Sequence, residues 1–202
     1  MPLNTFIFDT WNVVINYQSG NVINKILAYS CLPAEEARLR IAQLNDSHIF
    51  RLGKVTWKEY FEKLSEMIDL RGLTFADFQK IWNSEFTPNG LFVDIIRRYI
   101  QWKLVLVTDM NELHYSHLLE KYPDIIALFD HIFTSFQLGV SKKDPRFLEI
   151  VTSRLDVERS QCLYVDDKPV LVENAIKAWF NGITYSTIES FRQQLVDLLS
   201  KF

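Results

Sequence analysis

Sulfur is scarce in this chain of 202 residues: Cys31 and Cys162 are its only cysteines, and they lie far apart. Two such residues cannot frame a disulfide-stapled secreted scaffold. They are read as reduced, buried small hydrophobes in a cytoplasmic protein. Long apolar runs are missing as well, which excludes a helical membrane span. The N-terminus lacks a basic stretch followed by an uninterrupted apolar one, so no secretory leader is expected. Basic tracts are also absent. With a formal charge of −3 and a pI near 5.8, neither nucleic acid nor an anionic membrane is expected as a partner. There is no repeat and no low-complexity segment. What is present is a chain 48% apolar, enough for one domain or for a core carrying an inserted subdomain.

The most informative stretch comes first. Thr5-Phe6-Ile7-Phe8 is β-branched and aromatic without polar alternation, as in a strand covered on both faces within a parallel sheet. It ends on Asp9, which places a carboxylate at the sheet edge where open α/β folds bind ligands. An aspartate there can be a nucleophile, a metal ligand or a loop cap.

From Ser19 to about Phe86 the pattern is helical. Val22, Ile23, Ile26, Leu27 and Ser30 give one stripe, and Pro33 opens a second helix with Ala37, Ile41 and Leu44 inward. Thr56 and Glu59 form a capping box for a third, carrying Trp57, Tyr60, Phe61, Leu64, Met67 and Ile68. Gly72 stops it, and Thr74 starts a fourth with Phe75, Phe78, Ile81, Trp82 and Phe86 on one side. These rings are read as the core of a small helical bundle.

From Pro88 onward helices alternate with strands. Helices are expected over 91–100, 111–122, 145–155, 169–180 and 188–199, and strands over 104–107, 132–133, 162–165 and 183–185. A loop is expected over 137–144. This order implies parallel βαβ units with right-handed crossovers. The expected fold is a Rossmann-like α/β core of residues 1–15 and 90–202, flanked by helices. An all-helical cap of residues 16–89 is inserted over its strand ends.

Read together, Asp9, Thr108 and Asp166-Asp167 each follow an apolar strand, and Lys142 sits in the loop after the third. Such a set suits phosphoryl transfer. A carboxylate can attack phosphorus, a hydroxyl and an ammonium can hold the equatorial oxygens, and further carboxylates can hold Mg²⁺. Asp9 and Asp166 suffice as side-chain ligands, because Mg²⁺ normally takes only one or two carboxylates.

The order and spacing resemble the haloacid dehalogenase superfamily over essentially the whole chain. Its first motif, Asp-x-Asp-Gly-Thr/Val after a strand, is matched by Phe8-Asp9-Thr10-Trp11-Asn12-Val13. The second is matched by Val107-Thr108. The third is matched by Gly139-Val140-Ser141-Lys142-Lys143-Asp144, which keeps the Gly and Lys but lacks the usual Pro. The acidic fourth is matched by Val165-Asp166-Asp167-Lys168-Pro169, with Glu173-Asn174-Ala175 beyond it. A helical insertion after the first motif is similar to the superfamily's helical caps, which close over small phosphorylated metabolites.

The resemblance implies a Mg²⁺-dependent phosphomonoester hydrolase of a sugar phosphate-like metabolite, working through an aspartyl-phosphate. Asp9 would be the nucleophile, and Thr108 and Lys142 the phosphoryl clamp. Asp9, Asp166 and the Trp11 backbone carbonyl would be metal ligands, with Asp167 acting directly, through water or from behind. Asp109 and Asn111, in the loop after Thr108, are candidate substrate contacts. An anion at Asp109 is compatible with a phosphate only if turned away or paired.

Trp11 stands where most phosphatases of the group carry a second Asp, which protonates the leaving oxygen and later activates water. Asn12-Val13 fits the variant Asp-x-Gly-Asn-Val. An aromatic at this place also resembles the 2-haloacid dehalogenases, which work without metal, but Asp166-Asp167 is the metal-binding form of the fourth motif. A third alternative is a member that binds a phosphorylated ligand or a protein with little turnover. His114 and His117 are read as solvated or capping, Arg97-Arg98 as a solvated face, and Lys168 as a surface residue.

Overall fold

The computed structural model describes residues 2–46, 48–99 and 101–200. The chain leaves strand β1 (Thr5–Asp9), forms a short strand β2 (Ile15–Tyr17), and enters helices α1 (Ser19–Leu27), α2 (Ala34–Asp46), α3 (Trp57–Met67) and α4 (Phe75–Trp82). It returns through β3 (Phe86–Pro88). Then follow α5 (Gly90–Ile96), β4 (Lys103–Thr108), α6 (Glu112–Lys121), α7 (Pro123–Ile126), β5 (His131–Thr134) and α8 (Ser135–Leu138). The last elements are α9 (Arg146–Leu155), β6 (Cys162–Asp166), α10 (Pro169–Lys177), β7 (Asn181–Thr184) and α11 (Ile188–Leu199).

Five strands form one sheet in the order β5-β4-β1-β6-β7, every pairing parallel. β1 is central, so both its faces are covered. Phe6 and Phe8 join one core with α5 and α11, while Ile7 joins the other with α9 and α10. This alternation between two apolar layers explains why the sequence shows no polar period. The strand order reverses beside β1, so Asp9 lies where the flanking connections part and leave a crevice.

α1 to α4 enclose an apolar core of their own, around Ile26, Ile41, Tyr60, Leu64, Phe78 and Trp82. The Thr56–Glu59 capping box is formed in both directions. A two-stranded ribbon joins this subdomain to the sheet, with Ile15 opposite Pro88 and Tyr17 opposite Phe86. Asn89 locks the stem: its Nδ2 donates to the Val13 carbonyl at 2.9 Å and to the Tyr185 hydroxyl at 2.7 Å.

The structure departs from the sequence pattern in several places. Phe86 is not on the fourth helix, which ends at the Asn83 cap; it is a ribbon residue stacked on Trp11. Ser30 lies beyond α1 and bridges to Leu70. The helix expected to reach Ile100 stops at Ile96 and continues as a 3₁₀ turn over Arg97–Tyr99; Ile100 lies outside the described residues. α10 ends at Lys177 rather than Phe180, because Trp179 takes a left-handed φ of 73°. The expected loop 137–144 opens inside a helical turn, α8, which Gly139 ends with φ 67°. Cys162 is buried as expected, but Cys31 is exposed; both are free thiols. Among the described residues no helix is long and apolar enough to cross a membrane.

The loop after α2 docks on the core. The Ser135 hydroxyl donates to the Arg51 carbonyl at 2.6 Å, and Gly53, at φ +65°, leaves only 2.9 Å between a would-be Cβ and the Phe136 carbonyl. Gly53→Ala should therefore strain the backbone by about 1–2 kcal/mol and lift the loop off the core. Urea unfolding should show at least that loss. An unchanged midpoint would mean that the loop is not held here.

Candidate active site

Asp9 ends β1, and its carboxylate is buried beside the ammonium of Lys142, with Nζ 2.6 Å from Oδ1. Oδ1 also accepts the Thr10 N–H at 2.7 Å. Among the described residues no hydrogen bond falls on Oδ2. Lys142 lies 2.8 Å from Asp166 Oδ2 as well, so one ammonium bridges the ends of two strands. That same oxygen accepts the Tyr164 hydroxyl at 2.7 Å, and Asp166 Oδ1 accepts the Lys168 N–H at 2.9 Å. Asp167 is held by Lys168 Nζ at 2.7 Å and by Asn12 Nδ2 at 3.2 Å.

These charges set each other's ionisation. Burial pushes Asp9 up to about 7; Lys142 opposes that shift and Asp166 adds to it. Burial pulls Lys142 down, but Asp9 and Asp166 outweigh it and hold the group above its ordinary range, so it stays an ammonium. Burial, then the Asp166 charge, keeps the Tyr164 phenol protonated as a donor.

One oxygen from each of Asp9, Asp166 and Asp167 can be chosen so that all lie within 4.8 Å of one another. Three carboxylates against the one buried ammonium suit a divalent cation. The loop after β1 routes its backbone bonds through the Thr10 and Ile15 carbonyls, leaving the Trp11 carbonyl without a partner among the described residues. The donor set is therefore the hard-oxygen one that magnesium prefers. Asn12 makes this loop possible. It sits at φ 57°, where the related motif has Gly, and Asn is among the few side chains that adopt it readily.

Thr108, at the end of β4, is fully buried, and its Oγ1 has no hydrogen-bond partner. Val107 lies opposite Asp9, so this leftover hydroxyl stands one residue further along the neighbouring strand end, where a ligand oxygen could satisfy it. Thr10 Oγ1 is likewise unpaired.

Other expected site residues play different parts. The Asp109 carboxylate points into the Lys142 loop, where Oδ2 accepts the Ser141 hydroxyl at 2.7 Å and Oδ1 the Lys142 N–H at 2.8 Å. Both its oxygens are thus engaged by the loop that carries Lys142. Asn111 is also committed: Oδ1 caps α6 through the His114 N–H at 2.9 Å, and Nδ2 faces His114 Nδ1 at 3.3 Å. Both line the cleft, but their side chains are engaged.

His114 corrects the sequence reading, being buried rather than solvated. Asn111 must present its amide nitrogen, so Nδ1 accepts and the ring proton sits on Nε2. That nitrogen lies near the Trp82 carbonyl without a bond of ordinary geometry. Burial lowers the His114 pKa to about 3, keeping the ring neutral. Glu173 and Asn174 are exposed on α10, and Asn174 lines a surface cavity that Lys142 and Tyr164 also border.

Trp11 is a brick of the cap stem. Its Nε1–H donates to the Asp109 carbonyl at 3.1 Å, and its ring stacks on Phe86 at 5.1 Å and meets Tyr17 at 5.1 Å. It closes one side of a cavity of about 370 Å³ between core and cap, which reaches Asp109, Asn111, His114 and Lys168 on the core side and Arg51 on the cap side. Sequence reasoning missed Tyr164 and this cavity. Tyr164 had a signal, since it stands two residues before Asp166 and so shares its face of β6. The cavity had none, because its walls come from remote segments.

The chain is similar to several known proteins. The chain is 29% identical over 160 residues to flavin mononucleotide hydrolase 1 of Arabidopsis thaliana, covering 71% of this chain and 62% of that protein. It thus spans less than two thirds of that relative. It is 27% identical over 136 residues to sesquiterpene phosphatase astK of Aspergillus oryzae, covering 66% of this chain and 67% of that protein. A haloacid dehalogenase family enzyme of Bacteroides thetaiotaomicron, solved with magnesium and inorganic phosphate, superposes with a TM-score of 0.80 at 16% identity, covering 91% and 94% of the two chains. At that identity the superposition speaks for the fold alone. Residues 3–178 match the haloacid dehalogenase-like hydrolases, and with its carboxylates and lysine gathered on one sheet edge the chain belongs to that family.

Proposed function

We propose that this protein is a Mg²⁺-dependent phosphomonoester hydrolase of a small soluble metabolite, with residues 16–89 capping a core of 1–15 and 90–202. The observation that carries the reading is Asp9. One of its oxygens is fixed by Lys142 and the Thr10 N–H, the other accepts no hydrogen bond among the described residues, and the orphaned Thr108 hydroxyl ends the neighbouring strand. Two relatives named as hydrolases of phosphorylated compounds support it.

In the first step Asp9 Oδ2 attacks phosphorus, the bond to the leaving oxygen breaks, and an aspartyl-phosphate forms. Thr108 and Lys142 hold the equatorial oxygens, and Asp109 holds the Lys142 loop in register. In the second step water attacks phosphorus, the bond to Asp9 breaks, and phosphate departs with the carboxylate restored. Magnesium, held by Asp9, Asp166 and the Trp11 carbonyl with Asp167 behind, would neutralise the gathered negative charge. Tyr164 and Lys168 N–H orient Asp166 for that role.

Thermal melts with and without Mg²⁺ test the reading. Mg²⁺ at a hundred times its Kd should stabilise the protein by about 2.7 kcal/mol, and Asp166→Asn should remove that gain together with turnover of p-nitrophenyl phosphate. If millimolar Mg²⁺ moves neither melting nor turnover, the reading fails. Metal-independent hydrolysis of 2-chloropropionate would replace it with the dehalogenase alternative.

A further inference from the structure

The cavity between core and cap contains one positive charge without a counter-ion. Arg51 lines it from the cap side, half-buried, and makes no ion pair among the described residues. The other cation of the wall, Lys168, is paired with Asp167 at 2.7 Å. The wall carboxylate, Asp109, gives both oxygens to the Lys142 loop. Arg51 is also held in place. Its Nη2 donates to the Asn45 carbonyl at 3.1 Å and to His48 Nδ1 at 3.0 Å, and its own carbonyl accepts the Ser135 hydroxyl at 2.6 Å. The side chain is thus tied to the cap and the backbone to the core, while Nη1 and Nε make no hydrogen bond among the described residues.

Two other wall residues need acceptors as well. Trp82 and His114 are buried, and each carries a ring N–H without a hydrogen-bond partner. The hydroxyls of Tyr17 and Ser19 can donate or accept. Around these groups the wall is apolar, with Trp11, Ile23, Leu44 and Phe50. A volume of about 370 Å³ is at the small end of organic-ligand sites. A guanidinium fork matches a carboxylate through two parallel hydrogen bonds, and a partly buried charge gains from such a partner. One unpaired cation calls for a monoanion; a dianion would leave excess negative charge near Asp109 and Asp167.

The cavity adjoins the phosphoryl site without containing it. Its core side is made by Trp11 and Asn12 after Asp9, by Asp109 after Thr108, and by Lys168 after Asp167. Asp9, Thr108 and Lys142 are not among its lining residues. We infer that the substrate carries, besides its phosphate, a carboxylate on an apolar body, and that Arg51 is the specificity-determining residue that pairs with it. The inference rests on the phosphatase reading for the phosphate that is removed, and on the cavity alone for the second acid.

Two comparisons test it, both with the whole chain and Mg²⁺. Calorimetric titration sets 2-naphthoate against its neutral twin 2-naphthamide, which requires no turnover. The acid should bind about ten- to a hundredfold more tightly, the range expected for a hydrogen bond to a charged group. Arg51→Gln should bring the two within about threefold, and Arg51→Lys, which keeps the charge but not the fork, should fall between. Melting curves check that both variants are folded. In the second comparison, the better of 3- and 4-carboxybenzyl phosphate should exceed benzyl phosphate about tenfold in kcat/KM, mainly through KM, and Arg51→Gln should abolish that preference. Equal binding of acid and amide by the wild type, which needs no variant, would overturn the inference. So would an acid preference that survives Arg51→Gln. Turnover of benzyl phosphate as fast as both carboxybenzyl esters would overturn it too, and leave the phosphatase reading intact. An acid preference in binding that Arg51→Gln removes, with no ester turned over, would keep the cavity's assignment and overturn the phosphatase reading.

Discussion

Asp9→Asn should lower turnover of any phosphate ester by at least about a thousandfold, and by as much as about a millionfold if nucleophile removal acts as in other hydrolases. The amide keeps the shape of the carboxylate but offers no anionic oxygen to phosphorus. Rapid-quench trapping with a labelled substrate should show an acyl-phosphate in the wild type and none in the variant. Retention of activity within tenfold would remove Asp9 from the nucleophile role.

The same variant should be no less stable, for an electrostatic reason. Asp9 is raised from 3.8 to about 7, first by burial, so the native state binds a proton that the unfolded chain has already lost. Its contribution is present below about 3.8 and is lost as pH rises through about 7. The amide of the variant does not titrate and carries no such dependence. In metal-free buffer the wild type should therefore lose stability relative to Asp9→Asn across that window, by up to about 1.4 kcal/mol per pH unit. Chemical unfolding at pH 4 and pH 8 reads the difference directly. A gap that widens in favour of the wild type as pH rises would mean that the Lys142 pair outweighs burial.

Trp11 should make the wild type strongly dependent on its leaving group. The indole cannot deliver a proton, and its N–H is already given to the Asp109 carbonyl at 3.1 Å. General acid catalysis is typically worth about a hundred- to ten-thousand-fold, most where the leaving oxygen is most basic. Among apolar esters, p-nitrophenyl phosphate should therefore exceed benzyl phosphate by a factor in that range. Trp11→Asp should recover part of the deficit on benzyl phosphate and little on p-nitrophenyl phosphate. Removing the ring also deletes its stack on Phe86, at a cost of a few kcal/mol by analogy with other large-to-small changes. Trp11→Gly controls for that opening of space, since it supplies no acid. An equal gain from Gly would show that the ring only blocked the site. Fast wild-type turnover of benzyl phosphate with no gain from either variant would place the proton source elsewhere.

What the amino-acid sequence determined by itself was the core and its edge. Strands covered on both faces write unbroken apolar runs, and a polar residue closing such a run lands at the carboxyl end of the sheet. Asp9, Thr108 and Asp166 were legible for that reason, because their positions follow from local periodicity and strand order; Lys142, in a loop, was legible through its motif. Directions and pairings were not, since they depend on partners remote in the chain. Asp109 turns toward Ser141 across 32 residues, and Trp11 reaches Asp109 across 98. The ribbon of β2 and β3 pairs residues about seventy apart, so Phe86 read as the end of a helix. His114 looked solvated because a helix surface is polar by default; it is buried because the ribbon and α4 close over it. The cavity is assembled from segments of core and cap that lie far apart in the chain. Its mixed lining, with aromatic rings beside Arg51 and Lys168, was decided only when the tertiary structure brought those segments together.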